Sequence, residues 1–163
     1  MIFVAISKKL AKKVIECING GVSFTPPTNW YFGLCASEPV NDLIPVGSEP
    51  ADGTGYKRKQ LANSQFSGSS GTFTPADTTG DTGTGLVARV TNAQIIEMDE
   101  ITSGDEPDIQ YFFLAETPEN SNASGASREV AMWGSFDRKR KLVINSNLII
   151  ETGGAVFELF NVI

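Results

Sequence analysis

The chain has 163 residues, carries 13 Lys and Arg against 19 Asp and Glu for a formal net charge of −6, and contains no histidine. The length suits one domain with a sizeable core. The acidic balance argues against nucleic acid or an anionic membrane as a partner. The lack of histidine excludes Ser/His/Asp and Cys/His triads, most zinc sites and every histidine acid–base step.

The two cysteines and the apolar N-terminus indicate where the protein is made. Cys17 and Cys35 form no CxxC motif, which favours buried free thiols over a disulfide. The start "MIFVAI" is too short for a signal peptide, and its lysines follow rather than precede it. No apolar run approaches the roughly 20 residues that a membrane span needs. We therefore expect a reducing cytoplasm, or a particle assembled there.

The first predicted element is an amphipathic helix within residues 2–20. At about 100° per residue, five apolar side chains share one arc of about 140°, and four lysines lie opposite. The apolar arc comprises Leu10, Ala11, Val14, Ile15 and Ile18. Ser7 is a suitable N-cap, and Gly20–Gly21 is a suitable C-terminal stop. Phe3 and Val4 fall on the same arc, which extends the prediction towards residue 2.

Next comes an aromatic stretch, "SFTPPTNWYFGLCASEPV", at residues 23–40. Two prolines end anything helical and start an extended segment. From Asn29 onward the side chains alternate, with Trp30, Phe32 and Leu34 on one face. Tyr31, Gly33 and Cys35 lie on the other face. Because both faces are largely apolar, we expect a central strand that is covered on both sides, one of them by the helix.

The rest of the chain reads as short strands separated by turns. An acidic loop at residues 37–55 precedes a strand in "GYKRKQLANSQF", with Tyr56, Arg58, Gln60 and Ala62 on one face. Residues 67–85 are of low complexity and are predicted to be exposed. Further strands are predicted in "LVARVTNAQIIEM", "DIQYFFLAE" and "AVFELFNVI", and a hairpin in "EVAMWGSF" and "KLVINSNLIIETG", joined at "DRKRK".

Seven or so short strands predict a mainly β fold: an antiparallel β-sandwich or flattened barrel over residues 28–163, with one N-terminal amphipathic helix. The pattern contains no repeat of strand and long helix, so a parallel α/β sheet is not expected. We find no internal repeat and predict a single domain over residues 1–163.

Acidic and aromatic clusters are the candidates for chemistry. Asp77 and Asp81 are too sparse for a calcium loop, and "DEITSGDEPD" is more typical of a solvated hairpin tip. Nothing selects a pair of carboxylates for a glycosidase. Trp30, Tyr31, Trp133 and Phe136 could line a sugar platform, but aromatic residues in alternating strands are more typical of core. We expect no enzyme activity, no cofactor and no metal.

Charge patterning instead indicates protein contacts. The basic run "RKRK", residues 138–141, falls at a predicted turn and is either solvated or in contact with an acidic neighbour. The 37–55 loop carries the opposite charge, which suits head-to-tail packing. The candidate assembly residues are Leu10, Val14, Ile15, Ile18, Glu38, Asp42, Arg138, Lys139 and Arg140.

The order of these features resembles a family of small phage virion proteins described as tail-fibre or minor tail proteins. Their pattern is a leading helix, a "TPPxxxYxALFTSxP"-like strand, a "GGGYxRQ"-like strand, a "GxF"-type strand and a closing "LLYxGxL…K" hairpin. The counterparts here are Thr25–Pro39, Gly55–Gln60, Gln110–Ala115 and Ala131–Leu142. Two departures are "IEMDEITSGDEPD" in place of "FPxATxxWG", and Cys35 where an aromatic residue or Thr is common.

The resemblance implies a non-enzymatic β-sandwich subunit of the virion, most simply from the tail, baseplate or tail-fibre region. It implies a homo-oligomer that also contacts other phage structural proteins, with no nucleic acid and no membrane as partners. A collar or capsid-decoration protein is a second structural option. A carbohydrate-binding module that attaches the particle to host surface glycan is an option of another class, and a wall-degrading hydrolase is the third.

Overall fold

The computed structural model describes residues 4–23, 25–51, 53–62, 66–67, 86–104, 108–122 and 127–160. The predicted exposed segment around Asp77 and Asp81, and the acidic pair Asp105 and Glu106, lie outside these ranges.

One helix and ten strands occur in the described ranges. They are β1 (Val4–Ile6), α1 (Lys8–Ile18), β2 (Asn29–Cys35), β3 (Lys59–Ala62), β4 (Phe66–Ser67), β5 (Leu86–Asn92), β6 (Ile96–Glu97), β7 (Ile109–Ala115), β8 (Met132–Arg140), β9 (Ile149–Ile150) and β10 (Val156–Phe160). A five-stranded sheet has the order β1-β8-β7-β2-β3, a three-stranded sheet the order β10-β5-β4, and β6 pairs with β9. These pairings are antiparallel. The prediction of a mainly β, antiparallel fold with one N-terminal helix is confirmed.

The helix is shorter than predicted, because Val4–Ile6 forms an edge strand. Val4 pairs with Gly134 and Ile6 with Met132. These β-branched residues favour a strand once β8 lies beside them, and the helical periodicity of the local sequence does not show that partner. The predicted N-cap and the predicted C-terminal glycine turn are confirmed. Ser7 Oγ accepts from the Leu10 amide at 3.1 Å. Gly20, at φ +75°, donates to the Cys17 carbonyl within a left-handed C-terminal turn.

The aromatic strand β2 is central, as predicted, with β7 on one side and β3 on the other. Its two faces belong to different apolar clusters. Phe32 and Leu34 lie in the larger core, where the Phe32 ring stacks on Phe112 at 5.8 Å between centroids. Cys35 lies in a smaller core on the opposite face.

Each face of the large sheet has its own cover. The larger core is closed by β6, β9 and the segments beside them, including Met98, Ile101 and Leu142. The smaller core is closed by residues 36–48, whose Ile44 is fully buried against the sheet. The helix was predicted to cover β2, but this hairpin segment occupies that place. We call residues 36–48 the covering hairpin.

Two further strand predictions are wrong. The hairpin at "DRKRK" does not form, because β8 runs through Arg140 and β9 pairs with β6. The predicted strand face from Tyr56 to Ala62 is also broken: β3 begins at Lys59, Gln60 is exposed and Leu61 is buried. Tyr56 and Arg58 are buried ahead of the strand because both bind Glu49.

Candidate functional site

The helix is fixed to its own subunit by one polar flank. Lys9 Nζ binds the Glu129 carboxylate, and Lys13 Nζ lies 2.9 Å from Glu116 Oε1. The hydrogen bond to Glu129 raises the pKa of Lys9. Leu10, 8% exposed, lines a shallow pocket of about 100 Å³ between these two ion pairs. The N-terminal half of α1 therefore packs beside the C-terminal end of β7 and the segment that leads into β8.

The C-terminal part of the apolar arc faces away from the subunit. Ile15 is 57% exposed and Ile18 is 78% exposed, while Val14 is half-buried. Five residues at about 100° each place Ile15 roughly 140° from Leu10 around the helix axis. Val22, just beyond the helix, is also exposed. We call Ile15, Ile18 and Val22 the outward arc.

The tip of the covering hairpin caps the helix. Asn41 and Asp42 have φ of 52° and 65°, and the Val40 and Leu43 amides each donate to the other residue's carbonyl, at 2.9 and 3.1 Å. This is the geometry of a two-residue type I′ turn. Asp42 Oδ2 then accepts from the Lys8 amide at 2.9 Å. "Asn-Asp" between two apolar residues is a hairpin signal that the sequence interpretation missed.

The predicted acidic loop is only partly available to a partner. Asp42 is bound to the helix N-terminus, whereas Glu38 is exposed and forms no ion pair within the described ranges. Glu49, another acid of the 37–55 loop, is fully buried. Charged residues are almost never fully buried unless they are paired, so the Glu49 carboxylate requires a positively charged partner in the interior.

That partner is Arg58. Arg58 Nε and Nη2 lie 2.9 Å from Glu49 Oε1 and Oε2 respectively. Tyr56 Oη donates to Oε1 at 3.0 Å, and the Ser121 amide donates to Oε2 at 2.8 Å. The Arg58 guanidinium also lies 5.1 Å from the centre of the Phe113 ring. Burial, reinforced by the Glu49 charge, raises the pKa of Tyr56.

The cysteines are free, as predicted, but only one is buried. Cys35 lies in the smaller core, where burial raises the pKa of its thiol. Cys17 is exposed on α1, contrary to the prediction.

The basic run lies on a distortion of β8 instead of a turn. Tyr111 pairs with Ser135, whereas Ile109 pairs with Arg140, so two steps along β7 (111 − 109) match five along β8 (140 − 135) and three residues are extra. Arg138 and Lys139 are exposed and form no ion pair within the described part of the chain. Arg140 is half-buried and binds Asp137 at 3.1 Å. We call residues 136–139 the basic bulge.

The predicted acidic and basic contacts are not brought together within one subunit. Asp42 accepts from Val130 just before β8 begins, and Arg140 ends that strand. Met132 pairs with Leu114 and Arg140 with Ile109, so the ends of β8 lie five steps apart along β7 (114 − 109), which is roughly 16 Å at about 3.3 Å per residue. The two charges therefore lie towards opposite ends of β8.

The described residues can also be compared with the metal, membrane, sugar-binding and hydrolase alternatives. In these ranges no three Cys, Asp or Glu side chains converge to hold a metal ion. The described part of the chain has no helix with the length and apolar character of a membrane span. Trp30 and Phe136 pack against the larger core and Trp133 against the smaller one, each half-buried. The described carboxylate that is buried, Glu49, is neutralised by Arg58.

The chain matches a known protein family over most of its length. The family described as Podophage GP4 fiber I protein gp80 matches residues 5–156. The chain belongs to this family. It is therefore a structural protein of a phage virion fibre, and the resemblance to tail-fibre proteins is confirmed. The match runs from β1 to the first residue of β10, so it includes the helix, the covering hairpin and the basic bulge. No curated protein matches the chain.

Proposed function

We propose that the chain is a non-enzymatic subunit of the tail-fibre region that works by assembling with copies of itself and with other phage structural proteins. The outward arc carries this proposal. Ile15 and Ile18 lie on the same helix as Leu10, yet the ion pairs of Lys9 and Lys13 hold the helix so that only Leu10 is buried. The subunit thus keeps a fixed apolar surface on its outside.

The energetics favour a partner for this surface. Full burial of an Ile or Val side chain contributes about 1.5–3 kcal/mol. Single exposed apolar residues are common and need no explanation, but the outward arc combines Ile15 and Ile18, on a helix whose orientation is set by two ion pairs, with Val22 just beyond the helix end. A second copy that covered Ile15 and Ile18 would gain several kcal/mol before the cost of association is subtracted.

The alternatives receive less support. Membership of a fibre family favours the fibre region over a collar or a capsid surface. A host-glycan module would present aromatic faces, whereas Trp30, Trp133 and Phe136 pack against the cores. A hydrolase would need two working carboxylates in a cleft, and the buried carboxylate of Glu49 is bound by Arg58.

The test compares molar mass and stability in three variants. We expect the wild-type chain to be an oligomer by size exclusion with light scattering. Ile15→Gln combined with Ile18→Gln should shift it to a monomer that remains folded, with a urea midpoint lower only by the stability that assembly contributes. Lys12→Gln, on the exposed polar face of the same helix, should leave the mass unchanged. Leu10→Gln should lower the urea midpoint, because Leu10 packs within the subunit. A monomeric wild-type chain, or a double variant that keeps the wild-type mass, would contradict the proposal.

A further inference from the structure

We infer that the basic bulge is an electrostatic docking site for exposed carboxylates on a second copy of this chain. The inference rests on the self-assembly proposed above and adds a second contact surface, remote in sequence from the outward arc. Bulges re-aim side chains and are enriched beside functional sites. Three extra residues in β8 are a large distortion, and the structure holds them in a defined shape.

Contacts from both strands support the base of the bulge. Gln110, on the opposing strand, donates from Nε2 to the Phe136 carbonyl at 2.7 Å. The Phe136 ring packs at 5.1 Å from Phe112, within the larger core. Arg140 stacks over Phe136 at 5.8 Å and binds Asp137. Arg140 thus contacts Phe136 and Asp137 at the start of the bulge, and Arg138 and Lys139 are exposed between them at its tip.

The positive charges of Arg138 and Lys139 at this tip have no carboxylate partner within the described part of the subunit. Half of the described cations with a defined side chain bind a carboxylate of the same chain, as Lys9, Lys13 and Lys59 do. The described cations that have neither an ion pair nor a side-chain hydrogen bond in the structure are Lys8, Lys57, Arg138, Lys139 and Lys141. Three of these five therefore fall within four consecutive residues. On a chain of net charge −6, this is a local concentration of unneutralised positive charge.

A second copy supplies the matching chemistry. Several described carboxylates are exposed and form no ion pair: Glu38, Glu97, Glu100, Asp108, Glu119 and Glu151. Arg138 and Lys139 can each donate charge-assisted hydrogen bonds to such a group. An anionic polysaccharide would need cations spaced along a track, because its affinity comes from many phosphate or carboxylate contacts. The described surface offers a compact tip instead, which fits one or two carboxylates of a protein.

The experiment measures self-association at low and high salt. We expect Arg138→Gln and Lys139→Gln each to weaken self-association about threefold to fivefold at low salt, with the difference disappearing at high salt. Arg138→Lys should retain wild-type association, since the charge is kept. Lys57→Gln removes the same charge from another exposed, unpaired position and should have no effect. Folding of each variant is checked by its urea midpoint.

The outcomes separate this inference from the proposed function. A monomeric wild-type chain would overturn both. An oligomer in which Arg138→Gln and Lys139→Gln behave like Lys57→Gln would overturn the docking site alone. Dextran sulfate serves as a polyanion probe: if the two variants lose binding to it and keep wild-type self-association, the site serves an anionic polysaccharide and the assignment to a second copy is overturned.

Discussion

Glu49 and Arg58 form a bidentate ion pair in which neither side chain has any exposed surface. The pair joins three parts of the chain. Glu49 immediately follows the covering hairpin, Arg58 immediately precedes β3, and Arg58 Nη1 continues to the Thr117 carbonyl at 3.1 Å. Asn120 and Asn122 extend the same connection through the Pro50 and Glu49 carbonyls, at 2.7 and 2.8 Å. The network therefore fixes where the hairpin lies on the sheet.

Removing Arg58 should destabilise the subunit strongly. In Arg58→Met, Glu49 would be left as an unpaired charge in the interior, and breaking one side of a buried pair costs about 3–5 kcal/mol. Urea unfolding measures the loss, and Lys57→Met at the exposed neighbouring position should change stability by less than about 0.5 kcal/mol. Adding Glu49→Gln to Arg58→Met should recover part of the loss, because the unpaired charge is then gone. Equal midpoints for Arg58→Met and Lys57→Met would refute the assignment.

The elements that sequence reasoning predicted correctly are those with local signals. Ser7 and Gly20 mark the helix ends within one turn of the residues they cap, and the alternation from Asn29 to Cys35 identifies the central strand. Both signals act over a few residues, so neighbouring side chains are enough to read them.

The elements that it missed depend on partners far away in the chain. Val4–Ile6 forms a strand because β8 lies beside it, more than a hundred residues later. The basic bulge arises from the register between β7 and β8, which no local pattern in "DRKRK" encodes. In the candidate site, the apolar arc of the helix was predicted correctly, but its division into a docked Leu10 and an exposed Ile18 follows from ion pairs with Glu116 and Glu129.

Gly33 should not tolerate a methyl group. A Cβ at this position would lie 2.1 Å from Cζ of Phe113 on the neighbouring strand. Overpacking of this kind costs about 1–3 kcal/mol, so Gly33→Ala should lower the urea midpoint. Gly21→Ala is the control, because its nearest contact would be an ordinary 3.5 Å from the Glu16 carbonyl. In the double variant with Phe113→Leu, the two losses should be less than additive; full additivity would show that the ring and the glycine are not in conflict.

Asp42 should stabilise the free subunit, although the sequence placed it at an assembly contact. Asp42→Ala loses both the acceptor for the Lys8 amide and a residue suited to φ 65°, which together should cost about 1–2 kcal/mol. Asp42→Asn keeps a side-chain oxygen and tolerates the turn, so its loss should be smaller. Amide hydrogen exchange at Lys8 and Leu10 reports the cap directly. Exchange in Asp42→Ala no faster than in wild type would rule out this capping role.

Two buried groups should make the protein sensitive to alkali. Burial raises the pKa of the Cys35 thiol and, with the Glu49 charge, the pKa of Tyr56. In the unfolded chain these groups lose their protons near pH 8.5 and 10, respectively. Above those values the folded state binds more protons than the unfolded state, so stability that is fully present at pH 7 falls as pH rises.

The contribution of Cys35 can be isolated by comparing the two cysteines. Cys35 stays a thiol in the folded state but becomes a thiolate in the unfolded state. This difference should lower the free energy of unfolding by about 2 kcal/mol at pH 10, so the urea midpoint of wild type should fall between pH 8 and pH 10. Cys35→Ala should flatten this decline, whereas Cys17→Ala at the exposed position should leave it unchanged. A thiol reagent at pH 8 should modify Cys17 at once and Cys35 only after unfolding. A decline between pH 8 and pH 10 as steep in Cys35→Ala as in wild type would contradict the role of the Cys35 thiol, because Tyr56 begins to contribute only near pH 10.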